Sequence, residues 1–241
     1  MRTGELPAPA PPAERTIGQL VAETIRTYGD NFLRALPLGL PLALVTLATT
    51  DRPINTQVAL LCLAAPLFTA AYAGAVWIVS GARPTPLAFL LGVLVWFPAP
   101  VLLRAFVLPA LAWLALFGLA VPVAMIERTG FRASLSRARR LALADYVHAL
   151  GSLCTLVILF ALTAAMLGLL LHEQGENTLR AGAFLAVLVL SPMLYLGAAL
   201  LYDDQAARVR SGRPRRRSRD ADLHPPVDAD AARGADPQVE S

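Results

Sequence analysis

From residue 31 to residue 201 the chain is a succession of apolar runs broken by short polar groups. An α-helix needs about 20 apolar residues to cross the hydrocarbon of a bilayer, and the breaks separate six runs of that order, at residues 31–50, 56–80, 86–103, 105–126, 147–171 and 178–201. Asp51, Arg52 and Pro53 divide the first two, and residues 172–177 divide the last two. The stretch 86–126 is about twice the length of one span, so it is read as two, with the turn between Pro98 and Arg104. Arg104 is then a turn residue; the other reading, a charge at bilayer depth marking a pathway, carries a cost of several kcal/mol. Pro37, Pro41, Pro66 and Pro192 interrupt spans and are expected to kink them.

Two stretches follow a different pattern. Ile17, Leu20, Val21, Thr24, Ile25 and Tyr28 recur at helical spacing, with Glu14, Arg15, Glu23 and Arg26 left to face water, so residues 14–28 are expected to form a short amphipathic helix ahead of the first span. Between the fourth and fifth spans, Phe131, Leu135, Ala138 and Ala142 make an apolar stripe among Arg128, Arg132, Arg137, Arg139 and Arg140. That segment reads as a basic helix lying at the membrane surface, either as a signal of topology or as a binder of anionic headgroups. Residues 1–13 and 211–241 lack apolar periodicity and are expected to be disordered. The fold expected is all-α: a polytopic transmembrane bundle of about six spans occupying residues 14–210, with an N-terminal amphipathic helix and a cytoplasmic basic interfacial helix.

Composition agrees. Of 241 residues, 56% are hydrophobic and 16% charged, and the mean hydropathy is +0.56, too apolar for a domain that must wet its whole surface. The pI near 9.6 rests on arginine, since the chain contains no lysine; this composition suggests a GC-rich bacterial genome. With both termini cytoplasmic, Arg52, Arg104 and Arg180 are the three of the 21 basic residues that fall on the far side, as the positive-inside rule requires. A multi-pass protein of the bacterial cytoplasmic (inner) membrane, without a cleavable signal peptide, is therefore expected.

The chemistry of catalysis is sparse. There is no HExxH, GxSxG or P-loop, and no pair of carboxylates at bilayer depth. His148 and His172 lie near opposite ends of one span. Asp203 and Asp204 are neighbours, about 100° apart on a helix, and do not converge. Asp145 is read as structural, either pairing with an arginine one turn earlier, such as Arg139 or Arg140, or capping the following helix. Cys62 and Cys154 sit inside apolar runs and read as small buried side chains, not a disulfide or a metal pair. No enzyme activity, cofactor or metal is expected. Transport would call for polar groups within the spans, where Thr69, Thr155, Thr163 and Ser191 are the main candidates.

Two stretches carry a family likeness. Glu127, Gly130, Leu135, Arg137 and Leu141, with Ser134 and Ala144 at small positions, follow one pattern; Leu201, Tyr202, Asp204 and Arg208 follow another at the exit of the last span. Together they resemble the bacterial membrane domain associated with glycerophosphoryl diester phosphodiesterases, six-span proteins of mostly unknown function. Ala138, Val147 and Ala206 depart from those patterns, and nothing resembles the phosphodiesterase catalytic barrel, so its activity is not implied. Arg137 and Asp204, matched charged residues of the two stretches at the same expected cytoplasmic interface, are expected to pair. The function expected is a non-catalytic scaffold or accessory protein associated with anionic lipid or an envelope enzyme; transport of a small solute or lipid is the alternative. Arg132, Arg137, Arg139 and Arg140 are the expected headgroup contacts. The expected partners are the bilayer and its anionic headgroups, with room for a membrane protein and none for nucleic acid.

Overall fold

The computed structural model describes residues 11–171 and 175–211, and among these the chain is helical with no strand. Of the segments expected to be disordered, 1–10 and 212–241 lie outside the described residues, whereas Pro12–Glu14 forms a 3-10 turn and Ser211 closes the last helix. The loop residues 172–174 also lie outside them.

Helix α1 (Ile17–Asp30) opens on a capping box. The hydroxyl of Thr16 accepts from the Gln19 N–H at 3.3 Å, and the Gln19 carbonyl oxygen accepts from the Thr16 N–H at 2.8 Å. Those two bonds fix the start of the helix, three residues later than the apolar pattern alone suggests. Leu20, Thr24 and Tyr28, one turn apart, are buried against the bundle, while Ile25 is exposed.

Helices α2 (Phe32–Ala35) and α3 (Leu40–Thr49) are joined by a 3-10 turn, Leu36–Gly39. Pro37 and Pro41 each withhold a donor here, so the helix tightens without ending. Helices α4 (Ile54–Leu63) and α5 (Ala65–Ser80) meet at a bend of 49°. Pro66 lies at the start of α5 and has no N–H for the carbonyl of Cys62, which explains the break. Next come α6 (Pro86–Trp96) and α7 (Ala99–Ala105), then α8 (Val107–Phe117) and α9 (Ala120–Ile126). The chain reverses at Phe106, whose backbone is extended, rather than between Pro98 and Arg104. The Phe97-Pro98 interruption only breaks the helix, so Arg104 belongs to the last turn of α7. The remaining helices are α10 (Phe131–Ala144), α11 (Tyr146–Leu171) and α12 (Glu176–Ser211).

Five segments are long and apolar enough to cross a membrane: Phe32–Thr49, Pro86–Ala105, Val107–Ile126, Tyr146–Leu171 and Glu176–Ser211. The bent pair α4–α5 makes a sixth if taken as one span.

Helix α12 is the post around which the others stand, touching α1, α3, α5, α9, α10, α11 and the Leu36–Gly39 turn. Proline explains part of that arrangement. Pro192, inside α12, has no N–H for the carbonyl of Leu188, and it is onto this carbonyl that Gly39 packs, so closely that a Cβ on Gly39 would lie 2.0 Å from its oxygen. The adjacent carbonyl, of Val189, accepts from the hydroxyl of Tyr28 at 2.7 Å. The turn of α12 before Pro192 is thus clasped by α1 and by the first span, and the helix runs on through the proline unbroken. Lower down, Gly197 admits Leu156 of α11, whose Cδ1 would be 2.4 Å from an added Cβ.

The two ends of the bundle are distinguished by their charges. At one, Arg180 meets Asp51 at 2.8 Å and Glu176 at 2.6 Å, and Arg104 donates to the amide oxygen of Asn55. At the other stand Arg15, the whole of α10, and the last turns of α12, so residues 15 and 208 lie on the same side of the molecule. Cys62 and Cys154 are free thiols, as expected, but half-buried rather than buried; Cys62 donates to the carbonyl of Phe97 at 3.4 Å.

Candidate functional site: a charged clasp beneath the basic helix

The basic helix is held by its small residues. Ser134, Ala138, Leu141 and Ala142 are buried at helical spacing, and short side chains let α10 lie close on α8, α9 and α12. The expected stripe is therefore turned slightly: Ala138 and Ala142 belong to it, Leu135 is partly buried, and Phe131 is 38% exposed. Arg132, Arg139 and Arg140 point outward and are exposed.

Arg137 behaves differently. Its Nε donates to Glu127 at 3.1 Å, and the same carboxylate oxygen accepts from the hydroxyl of Tyr202 at 3.1 Å. Glu127, at the end of α9, thereby ties α10 to α12. The expected partnership of Arg137 with Asp204 is not what the structure shows: Asp204 pairs with Arg15, Nη1 to Oδ1, at 3.2 Å. Helical geometry gives the reason. Tyr202 and Asp204 are two residues apart, so their side chains leave α12 about 200° apart; one reaches α9 and α10, the other α1 and α11.

Asp204 is fully buried, and its second carboxylate oxygen lies 3.8 Å from Nε2 of His148. One turn on, Arg208 shares that face of α12. It donates from Nη1 to Asp145 at 2.6 Å and from Nη2 to the backbone carbonyl of Arg15 at 2.6 Å, with the His148 ring at 3.3 Å. Asp145 sits at the α10–α11 junction and caps α11, its Oδ1 accepting from the N–H of His148 at 3.2 Å. Its backbone carbonyl accepts from Gln205 at 3.3 Å. Two carboxylates and two guanidinium groups thus offset one another around a buried imidazole, and removing either partner of so shielded a pair would leave a buried charge uncompensated.

Arg15 was expected to face water; its side chain is only 11% exposed. Nor was His148 expected as the neighbour of Asp204, or Arg208 as the partner of Asp145. The i, i+4 placement of Asp204 and Arg208, charged residues on one face at the end of an apolar helix, was the available signal. Among the described residues no group of three or more His, Cys, Asp or Glu side chains is placed to hold a metal ion. The clasp is built to fasten four segments, α1, α10, α11 and α12.

Within the bundle an apolar cavity of about 270 Å³ lies between α5, α6, α7, α8, α11 and α12. Of the hydroxyl groups that a transport pathway would use, Thr69, Thr155 and Thr163 donate to carbonyls of their own helices at 2.8 Å, which leaves those donors occupied.

Comparison of the chain with protein-family models, with curated proteins and with solved structures gives no match in any of the three.

Proposed function

We propose that this multi-pass membrane protein is a non-catalytic scaffold of the bacterial cytoplasmic membrane, with both termini cytoplasmic, whose basic helix rests on anionic headgroups and whose bundle accompanies a membrane-protein partner such as an envelope enzyme. The observation that carries the reading is the division of α10. One face is fastened by Ser134, Ala138, Leu141 and Ala142, and the other offers Arg132, Arg139 and Arg140 to the outside. A cation near an anionic leaflet gains about 1 kcal/mol, so three fixed side by side supply roughly 3 kcal/mol, or about a hundredfold in affinity.

Of the four arginines expected at the headgroups, Arg137 has a structural task as well, since it is half-buried on Glu127. The test is to purify the protein with native lipids and replace Arg132, Arg139 and Arg140 with glutamine. Retained anionic lipid should fall steeply while the fold persists; unchanged retention rejects the reading.

Movement of a lipid is the second reading, supported by the apolar cavity. That lining suits hydrocarbon better than a small polar solute. Lipid exchange between labelled vesicles by the reconstituted protein would favour it over the scaffold.

A further inference from the structure

The cavity and Arg104 belong together. Its walls bring Leu42, Leu61, Phe68, Trp96, Leu111 and Tyr195 around a single space, and no charged, amide, Ser or Thr side chain lines it. Phe68, Leu111, Leu156 and Tyr195 are buried behind it, whereas Leu103 and Val107, which also line it, are 47% and 49% exposed on the outer surface of the bundle. The cavity is therefore reached from the side, at the α7–α8 corner. In a bilayer that side faces lipid. The hydroxyl of Tyr72 is given to the carbonyl of Ala198 at 3.4 Å, so apart from the Tyr195 hydroxyl and the Trp96 ring N–H the lining side chains offer a polar solute little to bond with, and water in an apolar cavity is disfavoured. An apolar cavity of about 150 Å³ takes up a benzene; in the same proportion this one takes roughly ten carbons of a chain.

Arg104 follows Leu103 at that mouth. It is exposed, and among the described residues its one hydrogen-bond partner is the neutral amide oxygen of Asn55 rather than a carboxylate. A cation with no counter-charge among the described residues, beside the opening of an apolar cavity, matches an amphiphile with an anionic head and a hydrocarbon tail.

We propose that the cavity is a binding site for one bilayer phospholipid, with an acyl chain lying against Trp96 and Phe68 and its phosphate on Arg104. The mouth of the site, at Leu103 and Arg104, stands at the opposite end of the bundle from α10, and the site does not depend on the scaffold reading.

Trp96 supplies the readout, since its ring is packed among Phe68, Tyr72 and Tyr195 at centroid distances of 5.8, 6.4 and 6.0 Å. The full chain carrying Trp77→Phe and Trp113→Phe is reconstituted in vesicles titrated with phosphatidylglycerol brominated along its acyl chains. Contact quenching of Trp96 should saturate at one lipid per chain. Filling the cavity with Ala110→Leu should weaken apparent binding at least tenfold, and Arg104→Gln about fivefold. Brominated diacylglycerol, which has the chains without the phosphate, should bind the parent chain about as weakly as phosphatidylglycerol binds the Arg104→Gln variant. Undiminished saturable quenching in a folded Ala110→Leu variant, or equal binding of diacylglycerol and phosphatidylglycerol, overturns the proposal. Should Ala110→Leu not fold, Arg104→Gln decides: a fivefold loss upholds the site, and unchanged affinity overturns it.

Discussion

The guanidinium of Arg15 lies 3.2 Å from the carboxylate of Asp204, which is 189 residues further along the chain and fully buried. A buried carboxylate that loses its cation keeps its desolvation cost, and breaking such a pair typically costs about 3–5 kcal/mol. Arg15→Gln and Asp204→Asn are each expected to lower stability by roughly 3 kcal/mol, measured by denaturant unfolding in a fixed bilayer mimic. A double-mutant cycle should give a coupling above about 1 kcal/mol for Arg15 with Asp204. For Arg137 with Asp204 the two effects should add to within about 0.5 kcal/mol; strong coupling there would mean that the clasp is wired differently.

The Glu127 hinge makes a separate prediction. Tyr202→Phe removes one of the two hydrogen bonds that hold this carboxylate, at a cost of about 1–2 kcal/mol, and should loosen α10 before the rest of the bundle. Trypsin cutting after Arg132, Arg139 or Arg140, or faster amide exchange confined to residues 131–144, would register it. Uniform loosening of the whole molecule would show that α10 is not an independent flap.

Gly39 and Gly29 form a matched pair. Adding a methyl at Gly39 places it 2.0 Å from the Leu188 carbonyl oxygen, a collision between backbones that no side-chain rotation relieves. Gly39→Ala is expected to cost about 2–3 kcal/mol. Gly29 has nothing within 4 Å of an added Cβ, and because alanine favours helix, Gly29→Ala should be neutral or stabilising by up to about 0.5 kcal/mol. Thermal unfolding of the two variants separates close helix approach from mere helix propensity.

Sidedness can be read with cysteines in a chain whose own thiols are replaced. Because Arg180 meets Asp51, thiols at positions 51 and 175 should share one accessibility to an impermeant reagent, and thiols at positions 130 and 211 the opposite one. Labelling of 175 together with 211 from the same side would rule out the six-span arrangement.

The membrane-length helices were legible because twenty apolar residues have few other uses, and Pro37, Pro41 and Pro66 marked interruptions, whereas Pro192 lies inside an unbroken helix. The cap formed by Asp145 was one of two local roles that the sequence left open. Arg15 was not: in the polar run before α1 it looks like any solvated arginine, and its acid arrives 189 residues later. Asp204 was marked out by its motif, yet the choice between Arg137 and Arg15 turned on which way one turn of α12 faces, a matter of tertiary packing. The turn beside Arg104 was misplaced by a few residues because Pro98 and Pro100 are stronger local breakers than Phe106, although the bundle tolerates the first two inside a broken helix. No sequence signal foretold the cavity, since its wall is assembled from helices scattered over most of the chain.

The helix that most of the bundle leans on is also the last of these spans in chain order, and so the last to leave the ribosome. Until α12 arrives, Arg15, Glu127 and Asp145 have been made but lack the acid, hydroxyl and cation that α12 brings them, and Gly39 has no partner strut to grip. An incompletely synthesised bundle would therefore display orphaned charges near the membrane surface, the kind of feature by which unassembled membrane proteins can be told from finished ones. Synthesis of α12 and concealment of those charges are thus one event.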